Sequence, residues 1–360
     1  MRGPAFARSR DLVLTLAIGA AGGLVASALS LPVAWLLGPV IATSLASLAG
    51  VDTNLPDLLR TLAFFVLGIQ AGSGVSPEVV DQIAVWPLSF VIQLVGVFLA
   101  IVLCYGFLRW AFAWDHATAL FASLPGALSF VMAAATETRA DLTRVAIVQS
   151  IRLLLLIGAL VPSLAFLEGG GEAEAASRSG EGGTLVAYAV LFAFCAATAA
   201  LSARLKVPGG MMLGALIGSA LLHGSDLVTV SLPPSLAVPS LVLLGVLIGS
   251  RLTGIDLPAF LRLLPASIGC FALSLAACAL AGAAVVALLE LASGKVALAY
   301  APGALEALTV LAFQFDIDPA YVAAHHVIRF MAIAMIVPFL GRKIARDELG
   351  REEPRRSGTQ

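Results

Sequence analysis

The chain has 360 residues, of which 60% are hydrophobic and only 12% charged, against about 25% charged in a soluble globular domain. The formal net charge is −1, so no bulk basic field is present to attract a nucleic acid. Apolar runs near the ~20 residues that cross a bilayer recur from end to end. Composition excludes a soluble domain and predicts an all-α polytopic membrane protein.

In chain order the first run covers 12–30. Arg2, Arg8 and Arg10 precede it, and Ala26-Ser27-Ala28 has the form of a signal cleavage site. An equivalent run recurs at 185–203, far from either end, so 12–30 is expected to be a retained span. Further apolar segments follow at 33–49, 58–72, 83–108, 117–136 and 145–167. Residues 168–183, EGGGEAEAASRSGEGG, read as a flexible acidic linker. Six more segments follow at 185–203, 208–223, 236–250, 264–289, 297–314 and 321–341, and a charged tail closes the chain at 342–360. The four cysteines, Cys104, Cys195, Cys270 and Cys278, all lie in apolar runs without CxxC spacing and read as small core hydrophobes.

The two sets of six match. Gly38 corresponds to Gly214, "PGAL" at Pro125 to "PGAL" at Pro302, and Arg152 to Arg329, all at a separation of 176 or 177 residues. The expected organisation is a first repeat, 1–167, and a second, 184–341. The basic loops are displaced by one between them. Arg60, Arg109, Arg139 and Arg144 mark the loops after the second, fourth and fifth segments of the first half. Arg204, Lys206, Arg251 and Arg262 mark the loops after the first and third segments of the second. Positive charge marks the cytoplasmic side, so the halves are expected to be inserted in opposite directions. That requires an odd number of crossings per half. The fifth segment, broken by Pro-Gly in both copies, is expected to enter and return. This scheme has about ten transmembrane helices, two broken or re-entrant segments and both termini cytoplasmic. It places 17 of the 21 Lys and Arg inside, Arg178 and Lys295 outside, and Arg152 and Arg329 within the membrane. Glycine pairs four apart (Gly19/Gly23, Gly68/Gly72, Gly210/Gly214, Gly245/Gly249) read as close helix contacts.

Inverted repeats with broken helices meeting near the midplane are an architecture of secondary transporters. The free N–H groups after each break would offer an anion site. The candidate solute-binding residues are Pro125, Gly126, Ser129 and Arg152 in the first half and Pro302, Gly303, Glu306 and Arg329 in the second. Burying Arg152 and Arg329 at the bilayer centre would cost about 2.5–3.5 kcal/mol each on the lenient insertion scale. Arg152 has snorkelling to the basic 139–144 loop as its plainer reading, and Arg329 has Glu306, Asp316 and Asp318 as candidate partners. Glu306, which matches Ser129, is either a proton-coupling carboxylate or half of a buried Glu–Arg tie. Of His325 and His326, only His326 shares the Arg329 face; it is a candidate relay group, with an interfacial position as the plainer reading.

The stretches PGALEALTVLAFQFDIDPAYVAAHHVIRF and PGALSFVMAAATETRADLTRVAIVQSIRL resemble the AbrB-type duplicated bacterial inner-membrane family. That family has a Pro-Gly-Gly-Leu-type motif followed by a helix ending in Leu-Arg. Here Ala127 and Ala304 stand where it often has a second Gly. The resemblance implies a bacterial inner-membrane location. The family carries a "regulator" label and an "ammonia monooxygenase" label. A copper oxygenase needs convergent ligands, and His116, His223, His325 and His326 are scattered apart from one adjacent pair. A DNA-binding regulator needs a basic soluble module. The expected function is a secondary transporter or exporter of a small anionic or zwitterionic solute, coupled to H+ or Na+, with no cofactor or metal and homo-oligomerisation left open. The alternative is a membrane sensor acting on gene expression indirectly.

Overall fold

The computed structural model describes residues 4–75, 86–126, 128–167, 184–207 and 209–350. The expected linker (168–183), Ala127 and the last ten residues lie outside that set. Every regular element among the described residues is helical: α1 Pro4–Ala28, α2 Ala34–Leu48, α3 Asp57–Ser73, α4 Trp86–Ala111, α5 His116–Ser123, α6 Leu128–Ala135 and α7 Leu142–Leu167. The second half supplies α8 Leu185–Arg204, α9 Gly210–Gly224, α10 Pro234–Gly249, a 3-10 turn Ser250–Leu252, α11 Leu257–Leu289, α12 Ser293–Tyr300, α13 Leu305–Gln314 and α14 Pro319–Gly350. Seven of these are long and apolar enough to cross a membrane, and α2, α9 and α13 are shorter apolar helices. Large apolar side chains such as Val95, Phe98, Leu24 and Val186 point outward, as expected of a helical membrane protein whose surroundings are lipid. The boundaries that differ most from the sequence reading are three, the first being α1, which begins at Pro4 rather than 12. α11 begins at Leu257 rather than 264, because Pro258 lies in its first turn, where a missing N–H costs nothing. α14 runs on to Gly350, through the first part of the expected tail.

The fifth segment is broken in both halves, and the cause is local. Leu124, before Pro125, has φ −67° and ψ 124°; Ala301, before Pro302, has φ −55° and ψ 135°. The proline ring excludes the α region for the residue ahead of it, so α5 and α12 stop there. Each broken segment also starts and ends in one place. In the first half the Asp141 N–H, beyond α6, donates to Thr118 Oγ1, in the first turn of α5, at 2.8 Å. In the second, Lys295 Nζ, in the first turn of α12, lies 2.9 Å from Asp318 Oδ2, beyond α13. Both elements are therefore hairpins of two half-helices. Lys295, assigned to the outer side in the sequence reading, is buried against the Tyr321 ring at 4.6 Å.

Glycines set the packing between halves. A Cβ on Gly68 or Gly72 of α3 would run into the backbone oxygen of Met212 or Leu216 in α9. A Cβ on Gly245 or Gly249 of α10 would meet that of Leu36 or Val40 in α2. The contacts are reciprocal: the third helix of each half lies against the second helix of the other. Gly38 on Gly22 joins α2 to α1, and Gly214 on Thr198 and Ala199 joins α9 to α8. All four cysteines are buried and free. Gly72→Val and Gly249→Val should each separate a helix pair and cost about 1–3 kcal/mol or more. The check is thermal unfolding in detergent followed by size exclusion; unchanged midpoints in both would refute this account of the packing.

Candidate functional site

The two Pro-Gly breaks meet. A Cβ placed on Gly126 would lie 3.8 Å from Gly303 O and 3.9 Å from Arg329 Nη2. Around this point opens a cavity of about 760 Å³, with Pro125, Gly126, Arg152, Pro302, Gly303 and Arg329 on its wall. Glu306 and His326 line it as well. Ser129 lies in the first turn of α6, its side chain outside the described set. The chain thus brings both breaks, both intramembrane arginines and the candidate carboxylate to one chamber.

The arginines tie α7 and α14 to the breaks. Arg329 Nη1 donates to Ala301 O at 2.6 Å and Nη2 to Gly303 O at 2.5 Å. Arg152 Nη2 donates to Leu124 O at 2.9 Å. The break costs these carbonyls their helical donors; Ala301 O keeps only the Gly303 N–H at 2.9 Å, and an unpaired carbonyl in a dry interior is costly. The guanidinium supplies the missing donor, with the added strength of a charged hydrogen bond. One turn earlier the same construction repeats with other groups: Gln149 Nε2 donates to Phe121 O and His326 Nε2 to Leu298 O, both at 3.1 Å.

Three sequence expectations change. Arg152 does not snorkel; it is 2% exposed and bonded inward, like Arg329 at 3%. Arg329 has no carboxylate partner among the described residues: Asp318 pairs with Lys295, and Glu306 interacts electrostatically with Arg251 instead. The Glu306–Arg329 tie is replaced because the breaks offer Arg329 two nearer carbonyls. His326 is not interfacial but buried, and its Nε2, facing a carbonyl that only accepts, carries the proton. In the neutral ring Nδ1 is then a bare acceptor, and it has no partner.

Sequence reasoning missed four further wall residues: Gln149, Arg60, Lys206 and Arg251. The three cations had been counted only as loop charges marking a membrane face. Arg60 pairs with Asp57 at 2.9 Å on the exposed side, whereas Lys206 has no ion-pair partner among the described residues. The wall therefore carries five cations and one carboxylate. A second polar cluster lies away from the cavity. His325 Nδ1 donates to Tyr321 O at 2.8 Å, and its Nε2 lies 2.8 Å from Ser89 Oγ. Tyr300 and Tyr321 hydroxyls also meet Ser89. The pairing of Ser89 with His325, 236 residues away, has no local sequence signal. Arg329→Gln should lose about 2–4 kcal/mol by removing two charged hydrogen bonds, and Arg152→Gln less, since it makes one. Thermal unfolding of both variants in detergent checks the order; equal costs would contradict the clamp.

The family profile described as Transition state regulatory protein AbrB matches residues 2–78 and 35–345. Over 135 residues the chain is 30% identical to the Escherichia coli (strain K12) protein named "Putative regulator AbrB". That alignment covers 37% of this chain and 38% of the relative, so the chain spans well under half the length of the curated protein it matches. The longer profile match takes in both breaks, both arginines and the cavity between them, and on that match this chain belongs to the AbrB family.

Proposed function

We propose that this protein is a secondary transporter of a small anionic or zwitterionic solute, working by alternating access in the bacterial inner membrane. One observation carries the reading: two half-helix hairpins meet tip to tip at Gly126 and Gly303, on the wall of a cation-lined cavity. Hydrogen bonds are unsatisfied at such a depth unless backbone is buried in protein or lines water, and broken helices around a central cavity are how many transporters hold a solute. A volume near 760 Å³ falls within the range of small-molecule sites, about 300–1,000 Å³.

In this reading the halves are inverted repeats. The support is positional. Arg152 to Leu124 O and Arg329 to Ala301 O each span 28 residues, as do Gln149 to Phe121 O and His326 to Leu298 O. Each pair is related by the same 177-residue shift as the sequences. Hairpins that meet at Gly126 and Gly303 fit an approach from opposite sides, in keeping with the displaced basic loops. Ten crossings and cytoplasmic termini follow, with Arg60, Lys206 and Arg251 at the cytoplasmic mouth. Glu306 and His326 are the groups proposed to couple the solute to H+ or Na+: the carboxylate sits between Arg251 and the break, where its charge state changes the field the solute meets.

A regulatory role is the second reading, and it rests on the family description and the relative's name alone. An oxygenase lacks support, since among the described residues no three His, Cys, Asp or Glu converge. Purified protein in proteoliposomes should take up or expel a carboxylate or amino acid under an imposed pH or sodium gradient. Glu306→Gln should lower gradient-driven accumulation about tenfold or more while leaving exchange of the same solute measurable. Absence of flux for a broad panel under both gradients would favour the sensor.

A further inference from the structure

The two breaks are built alike but are not charged alike. In the second half the account is closed internally. Arg329 gives both terminal nitrogens to carbonyls, Ala301 O and Gly303 O. The helix after the break, α13, carries Glu306 in its first turn, where a carboxylate satisfies the partial positive charge of free N–H groups. In the first half neither condition holds. Arg152 uses Nη2 on Leu124 O, but its Nη1 is buried with no partner. The helix after that break, α6, has no acidic residue in its first turn; Ser129 occupies the register of Glu306. The backbones differ too. Gly126 has φ 86°, a left-handed conformation that Gly303 does not share, and no Gly126 carbonyl meets Arg152 as Gly303 O meets Arg329. The Arg152 guanidinium is pinned at the residue before Pro125, so its free nitrogen lies at the break, and the residue is 2% exposed. The neighbouring Arg329 repels it, and no carboxylate lies within ion-pair distance of either among the described residues. Two adjacent buried cations without a counter-charge are costly.

We propose that the first break is an anion subsite: a carboxylate group of the transported molecule binds between Arg152 and the N-terminus of α6, a helix end that carries no acidic residue of its own. This rests on the cavity being the solute site and narrows the solute to a small organic carboxylate. The unpartnered Nη1 of Arg152 can donate a charged hydrogen bond to one carboxylate oxygen. The wall cation without an ion-pair partner among the described residues, Lys206, lies on the same cavity and suits a second carboxylate, so a dicarboxylate is held best.

The direct test is binding, independent of flux. Isothermal titration and thermal shift of the detergent-purified full chain use acetate, succinate and malate, with succinamide as the uncharged match and putrescine as the opposite charge. The carboxylates should bind and raise the unfolding temperature, succinate above acetate, while succinamide and putrescine do neither. Arg152→Gln should weaken carboxylate binding at least tenfold, the loss of about one charged hydrogen bond. Ser129→Glu should weaken it as much by placing an internal carboxylate in the first break, without lowering the stability of the ligand-free protein. Ser129→Gln, equal in size but uncharged, should stay within about threefold of the parent, since it removes no charged contact. If Arg152→Gln does not fold, the Ser129 pair still decides. Binding of none of the three carboxylates, equal loss in Ser129→Glu and Ser129→Gln, or binding of succinamide as tight as succinate overturns the subsite. Flux of a non-carboxylate solute alongside no carboxylate binding overturns the subsite and leaves the transporter reading standing; carboxylate binding with no flux of any solute does the reverse.

Discussion

The structure depends on buried side chains supplying the hydrogen bonds that are lost where a helix breaks at proline. Ending a helix inside an apolar protein leaves carbonyls without donors, and water cannot reach them cheaply. Arg329 and Arg152 each reach from a neighbouring long helix to the carbonyl of the residue before the proline. The break and the buried charge are separately unfavourable and together stable. This is why the break and the arginine recur with the same spacing in both halves of the chain.

The clamp also fixes where the cavity is. Because α7 and α14 are tied to the breaks, and each hairpin is closed at its base by Thr118–Asp141 or Lys295–Asp318, the tips have little freedom except toward each other. The reciprocal glycine contacts of α3 with α9 and α10 with α2 bring the halves within backbone contact, so the tips meet at Gly126 and Gly303. Charge then accumulates at the junction from several loops, and Glu306 alone opposes it on the cavity wall. The two halves differ most at that carboxylate, and also at His325, whose network with Ser89, Tyr300 and Tyr321 falls where the first half has Val148 and Ser123.

Much of this was legible in the chain. Low charge and long apolar runs specify a helical membrane protein, because unpaired backbone does not survive in lipid. Pro125 and Pro302 specify the breaks, because the residue before proline cannot be helical without strain. The matched spacing of Pro-Gly and arginine placed those groups together, and the small-residue pairs marked the close helix contacts. What misled the reading was charge pairing. Glu306 and Arg329 lie in adjacent segments and carry opposite charge, yet the arginine bonds carbonyls that sequence shows only as backbone.

The sequence by itself determined the elements and their breaks, since those follow from dihedral limits and hydropathy acting over a few residues. Only the tertiary structure decided the partners: that Arg152 and Arg329 do the same work, that Glu306 faces Arg251, and that Arg60, Lys206 and Arg251 share a wall with them. The physical reason is that a buried charge takes the nearest unsatisfied group. Which group is nearest depends on how segments far apart in the chain are brought together, as Gly72 is against Leu216 and Gly249 against Val40.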